Sequence, residues 1–284
     1  MDARRPFPHR PRAVNFDEPI AIDPSFGVLA EEEGWIAVTK GAPLLSHPTG
    51  AKNEPTLWHG LQALLAYEMA TGGQISIITR LDRETSGLVL IAKTATAARE
   101  LGKAMQRREL HKTYLALVLG HPGHSNWVCT EPIARLGDWA DTRIFVKQCC
   151  HPSGRPCRTT FRVLTRIEPR GARPPLALVE CTPETGRMHQ IRVHLAHAGH
   201  PIFGDKIYGA DETCYLDFIA HGWTPELEAR LHLPRHALHA ARLAFPWQGT
   251  TVEVEAPLPR DMAALLPDTS GIGAHPGGAA TSHP

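Results

Sequence analysis

Apolar positions recur along this chain with two different periods, and the switches between them mark out a body of mixed strands and helices. Val28-Leu29 and Trp35 to Val38 are short apolar runs on either side of Glu33-Gly34, the pattern of a hairpin. Leu57, Leu61, Leu64, Leu65 and Met69 fall at helical spacing, with Gly72-Gly73 as a stop. Ile75 to Leu81 and Leu88 to Ala92 read as strands around a polar turn. Thr94 stands where a helix N-cap belongs, ahead of Ala98, Leu101 and Met105 on one face. Lys112 to Leu119 is strand-like, as are Phe161, Val163, Thr165 and Ile167 at period two and Leu176 to Cys181. Met188, Ile191, Leu195 and Ala198 mark a helix face that Gly199 ends. Leu238 to Phe245 and Thr251 to Ala256 form a last strand pair around Gln248-Gly249. There is no regular βαβ alternation and no glycine-rich phosphate loop. The pattern therefore predicts an α+β fold with a mixed, largely antiparallel central sheet flanked by helices and loops.

The ends of the chain differ from this body. Residues 1–27 hold five prolines and little apolar periodicity, and read as an extended arm. Residues 259–284 read as a tail, Gly/Ala/Ser/Pro-rich and disordered from about 267. The body, 28–258, belongs to a chain of 284 residues that is 42% hydrophobic, enough for a sizeable core. A formal net charge of +1 does not announce a polyanionic partner, so any nucleic-acid contact has to use a local patch. No apolar run approaches the ~18–20 residues needed to span a bilayer. The N-terminus lacks the apolar core of a signal peptide, and a cytoplasmic location is expected. Six cysteines without C-x-x-C spacing fit free thiols there.

Candidate chemistry centres on Asp82, which lies between Arg80 and Arg83 at the junction of an apolar run and a Thr-Ser-Gly turn. Flanking cations favour the ionised carboxylate. Such a group can act as a nucleophile or stabilise a cation, and a surface Arg-Asp-Arg pairing is the structural alternative. Arg99, Lys103, Arg107, Arg108, His111 and Lys112 make the densest basic segment, either an RNA contact or a solvated helix face. His194, His197 and His200, and separately His232, His236 and His239, have spacings worth testing against metal sites. The first set lacks the glutamate of an H-E-x-x-H pattern and runs past Gly199, so no metal is expected. Ser86 lacks the G-x-S-x-G elbow of a hydrolase.

Four ordered blocks add a resemblance. Arg80-Leu81-Asp82 with Thr85-Ser86-Gly87-Leu88, Lys112-Thr113-Tyr114-Leu115-Ala116, Thr185-Gly186-Arg187-Met188-His189-Gln190-Ile191-Arg192-Val193-His194-Leu195, and Arg235 to Leu243 closely resemble the motifs of the RluA-type pseudouridine synthases. Gly204-Asp205-Lys206-Ile207-Tyr208-Gly209 continues the likeness. The resemblance implies an RNA pseudouridine synthase, an isomerase that rejoins uracil through C5 on a flipped-out uridine of rRNA or tRNA. It implies Asp82 as nucleophile, Tyr114 stacked on the base and able to relay a proton, and Arg192 paired with Asp82. Arg80, Arg83, Arg187, His189 and Gln190 are the implied substrate-binding residues. No cofactor, no membrane and no obligatory protein partner is implied, and a monomer is expected. Thr79 departs from the family, which has His there.

Overall fold

The computed structural model describes residues 26–48, 54–209 and 211–267. In chain order the first half holds β1 (Phe26–Glu31), β2 (Trp35–Lys40), α1 (Leu57–Leu64), α2 (Ala66–Ala70), β3 (Ser76–Ile77), β4 (Ser86–Ala92), α3 (Ala95–Gln106) and β5 (His111–Leu119). Then follow β6 (Asn126–Cys129), β7 (Ile133–Arg135), β8 (Gln148–Cys150), β9 (Thr159–Ile167), β10 (Leu176–Pro183) and α4 (Gln190–His197). The chain finishes with α5 (Thr213–His221), α6 (Pro225–Leu231), β11 (Leu238–Trp247), β12 (Thr250–Glu255) and α7 (Arg260–Ala263). Ten strands form one sheet in the order β1-β2-β4-β11-β5-β10-β9-β6, with β3 added to β4 and β12 to β11. β7 and β8 form a separate two-stranded ribbon. Within the large sheet β4 and β11 run parallel, and the other pairings are antiparallel. The fold is the α+β arrangement that the pattern predicts.

The centre of the sheet is buried on both faces, which explains why β4 is an unbroken apolar run rather than an alternating one. Leu88, Leu90 and Ala92 face α3 and pack with Trp35, Phe245, Ala97 and Leu101. Val89 and Ile91 face the other way, onto Leu57, Leu61, Ile36 and Val38. A third cluster joins β5, β9, β10 and α4 through Leu117, Phe161, Val179, Ile191 and Leu195. At the β4–β11 crossing, Gly87 has φ +109°, and a Cβ there would lie 2.3 Å from the Ala240 carbonyl oxygen. Only glycine lets the two strands approach so closely.

Several elements differ from their sequence patterns, each for a local reason. The strand expected over Ile75 to Leu81 pairs only at Ser76–Ile77. Beyond it, the Ile78 and Thr79 amides both point at the Leu90 carbonyl, while the Thr79 hydroxyl accepts the Leu90 N–H at 2.9 Å in place of a ladder bond. The helix expected from Leu57 to Met69 breaks at Leu65. Thr94 does cap α3, but the inward face is Ala97, Leu101 and Ala104, and Met105 is exposed. α4 begins at Gln190 because His189 adopts a left-handed conformation, φ +56°, which leaves Met188 exposed in the preceding loop. The short strands β6 to β8 and the helices α5 to α7 had no periodic signal. Residues beyond 258, assigned by composition to a tail, pack on the body as far as they are described: Met262 is fully buried, and Asp261 pairs with Arg235. Most of the arm and of the tail, residues 1–25 and 268–284, lie outside the described residues. Among the described residues no helix is long and apolar enough to cross a membrane.

Candidate active site

Asp82 sits in the turn between β3 and β4, closed by a bond from the Thr85 N–H to its carbonyl at 3.1 Å. The turn is gripped from two sides. On the N-terminal side, Lys40 at the end of β2 donates to the carbonyls of Leu44 (2.8 Å) and Arg83 (3.2 Å), and the Ser46 hydroxyl donates to the Leu81 carbonyl (3.1 Å). Lys40 is completely buried, and burial brings its pKa down to about 7, against the pull of Asp82. On the C-terminal side, Thr85 bonds His236 at 2.7 Å and Ser86 bonds His239 at 3.0 Å. Lys206, buried over the Phe218 ring, donates to Glu84 at 2.6 Å.

The cation that meets Asp82 comes from α4. Arg192 Nη1 donates to Asp82 Oδ2 at 3.1 Å, while its Nε and Nη2 hold Asp205 in a fork at 2.7 and 3.0 Å. Asp205 is fully buried and also accepts the Ile207 and Tyr208 amides, so Oδ1 takes three donors and Oδ2 the Arg192 Nε alone. Burial pushes Asp82 upward, but Arg192, then His189 and His236, outweigh it and leave the carboxyl below the usual carboxylate range. Arg80 and Arg83, the sequence neighbours, do not supply this charge. Arg83 turns away to pair with Glu54 at 3.1 Å, and Arg80 is exposed without an ion pair among the described residues. Asp82 Oδ1 takes no protein hydrogen bond among the described residues, and the side chain is 34% exposed.

His189 lies on the other flank, with Nε2 3.9 Å from Asp82 Oδ2 and Nδ1 2.8 Å from the Tyr208 hydroxyl. The Tyr208 oxygen also accepts the Gln148 N–H at 2.9 Å, which ties the His189 ring to the start of β8. Burial, helped by Arg192, holds the His189 pKa down to about 4, so the ring is neutral near pH 7. Tyr208 also lies flat under Arg192, whose guanidinium carbon is 5.0 Å from the ring centre. Tyr114, on β5, completes the wall. Burial and then the Asp82 charge raise its phenol well above its ordinary value, so the hydroxyl keeps its proton. Thr79, whose hydroxyl is turned to Leu90, lines a small cavity with Tyr114, Leu88 and Lys112.

Asp82, Tyr114, Arg192 and His189 thus converge. Gln190 does not join them, contrary to its expected substrate contact. Its oxygen accepts from the Thr185 hydroxyl (2.7 Å) and the Arg187 N–H (3.0 Å), and its amide donates to Arg158 O and Thr159 Oγ1. All its hydrogen-bonding capacity goes into stapling the loop before α4. Arg187 donates to the Pro156 carbonyl. Four of the six histidines at metal-like spacing are engaged separately: His194 with Thr159 and Cys157, His200 with the Leu119 carbonyl, His236 with Thr85, His239 with Ser86. Among the described residues no three His, Cys, Asp or Glu side chains converge as metal ligands. Asp205, Tyr208, Lys40 and His236 are not among the site residues expected from sequence, although all but Lys40 lie in family-like blocks.

A chain from Nitrosomonas europaea named ribosomal large subunit pseudouridine synthase D is 38% identical over 248 residues, 84% of this chain and 64% of that one. Its namesake from Escherichia coli is 35% identical over 84% of this chain and 69% of its own. This chain therefore spans about two thirds of the length of these relatives. The solved structure of human RNA pseudouridylate synthase domain containing 1 aligns with a TM-score of 0.61 and 25% identity, covering 84% of this chain and 86% of that one. The model of the RNA pseudouridylate synthase family matches residues 34–197, which include Asp82, Tyr114, His189 and Arg192, and the chain belongs to that family.

Proposed function

We propose that this protein is an RNA pseudouridine synthase, an isomerase that converts uridine to pseudouridine in structured RNA, with large-subunit ribosomal RNA as its substrate. The relatives' names support the choice of RNA. The observation that carries the chemistry is the unequal grip of Arg192, which binds both oxygens of Asp205 but only Oδ2 of Asp82 and leaves Oδ1 free. In this reading the target uridine is flipped out of the RNA, at a cost of a few kcal/mol that stacking offsets. Tyr114 stacks on the uracil and, keeping its proton, donates rather than accepts. Asp82 is the nucleophile. The N1–C1′ bond breaks, the uracil turns, a C5–C1′ bond forms, and the proton on C5 leaves while N1 ends protonated. No electron leaves the substrate and no group is transferred to a second molecule. Neutral His189 steadies Asp82 without competing with Arg192 for charge.

Residues 28–258, extended by the α7 segment, are assigned to catalysis. Exposed Arg80 and the basic face of α3 are assigned to the RNA backbone, because phosphate contacts dominate affinity. The test is incubation of purified protein with large-subunit ribosomal RNA prepared without its natural modifications, followed by pseudouridine mapping. New pseudouridine at a discrete position is expected with the wild type and none with Asp82→Asn. Conversion by Asp82→Asn at the wild-type rate would remove Asp82 from the reaction. No conversion by the wild type of either ribosomal or transfer RNA would remove the function.

A further inference from the structure

The β7–β8 ribbon carries a feature that the Asp82 site does not use. Trp139, in the connection between the two strands, stacks on His151 with ring centres 3.8 Å apart and planes 21° from parallel, yet is still 51% exposed. Phe145, in the same connection, is 76% exposed, with the Arg135 guanidinium 4.7 Å above its ring. Two large aromatic rings are therefore covered on one face and open on the other. The covering groups are themselves fixed. The His151 ring accepts the Ser153 N–H at Nδ1 (3.2 Å), and Arg135 is held by Asp138 through Nε at 3.0 Å. Rings held this way lose little freedom when a flat partner lands on the open side.

We propose that Trp139 and Phe145 form a base-stacking subsite for unpaired nucleotides flanking the target uridine. The proposal rests on the RNA reading of the Asp82 site, and three observations favour RNA as the occupant. Every base has a π face, and guanidinium and aromatic planes are the groups that single-stranded RNA stacks on. Residues 131–158 carry five Arg and Lys against three Asp and Glu, and Arg143 and Arg155 have no ion pair among the described residues, so charge suits a phosphate chain. The ribbon is also joined to the site. Gln148 on β8 donates to the Tyr208 hydroxyl, which bonds His189 beside Asp82, and Lys147 is tied to Glu212 at 2.7 Å. The ribbon is thus fixed, through Tyr208, relative to the flank of Asp82.

The test uses the full chain and two fluorescein-labelled probes of equal length and charge, a single-stranded dodecamer of uridine and a dodecamer of abasic ribose phosphates, followed by anisotropy. Trp139→Ala should weaken the uridine probe about tenfold and leave the abasic probe unchanged. Trp139→Tyr should restore most of the loss, which separates stacking from a folding defect, and melting of all variants should match the wild type. Equal weakening of both probes, or of neither, would overturn the proposal. A protein-docking role for the ribbon belongs to that last outcome. Conversion of large-subunit ribosomal RNA, run in parallel, separates this idea from the one beneath it. A wild type that converts, with Trp139→Ala binding and converting identically, sinks the subsite alone. A wild type that never converts, but whose Trp139→Ala variant loses the uridine probe selectively, sinks the function alone.

Discussion

Arg192 touches two regions with opposite characters. The loop from Phe203 to Tyr208 presents Asp205, completely buried, with two guanidinium and two backbone donors on its oxygens. The turn from Leu81 to Ser86 presents Asp82, a third exposed, with one guanidinium donor. Both carboxylates are held in the charged form, and by the same side chain, but for different ends. Asp205 anchors the arginine: a fork–fork pair fixes the guanidinium plane, which a lysine could not do. Asp82 then meets a donor whose direction is already set. Full burial with donors on both oxygens makes structure, whereas partial exposure with one oxygen unbonded leaves room for chemistry.

Four measurements press on this contrast, ordered by their effect on stability. Arg192→Ala leaves Asp205 as an unpaired buried charge, so denaturant unfolding should show a loss of about 3–5 kcal/mol, with no residual conversion. A loss below about 1 kcal/mol would mean that the loop does not depend on the pair. Tyr208→Phe leaves the Gln148 N–H and His189 Nδ1 without their shared partner, and thermal or chemical melting should report about 1–3 kcal/mol. The third is a pH profile. The folded pKa of His189 is about 4, against an unfolded value near 6.5, so the unfolded chain binds the extra proton between them. Stability from this group is complete above pH ~6.5 and falls as pH drops toward 4. Below pH ~4 the depressed carboxyl of Asp205 adds a second loss, because the unfolded aspartate takes up its proton first. His189→Gln should make the upper limb shallower, and an unchanged slope would show that His189 titrates normally. The smallest effect on stability, within about 1 kcal/mol, is expected for Asp82→Asn, together with complete loss of conversion at nearly unchanged RNA affinity. If that variant melted as low as Arg192→Ala, the two carboxylates would be alike and the contrast would fail.

Legibility followed the reach of each interaction. β4, α3 with its Thr94 cap, β5, the β9–β10 pair and the β11–β12 pair were readable because strand alternation and helix capping are written within a few residues. β3 was overread because Thr79 diverts the Leu90 amide to a side chain, which an apolar pattern does not reveal. α5 and α6 pack mainly on each other through Cys214, Leu227 and Leu231, too short an apolar signal to stand out. The convergence of Asp82, Tyr114 and Arg192 came from block resemblance rather than periodicity. Asp205 escaped because its partner lies thirteen positions away in a loop without repeat. Gln190 was overassigned because a polar residue in a motif suggests contact with a ligand, whereas this one spends itself on the backbone around it. The local Arg80-Asp82-Arg83 argument expects an ionised Asp82, and the charge that holds it so comes from Arg192 rather than from those neighbours.

The grip on the Asp82 turn by Thr85–His236 and Ser86–His239 spans 151 and 153 positions of chain. Contacts of that separation are slow to form, since the entropy of closing the loop is lost before the contact rewards it. During translation they wait longer still: at about 5–20 residues per second, roughly ten to thirty seconds separate the emergence of the turn from that of its clasp. Throughout that interval the growing chain carries the Asp82 motif with only the Lys40 and Ser46 half of its clasp. A product cut short before His236 holds every block up to α4 and still has a turn clasped on one side only, so competence is reserved for chains extended past His239.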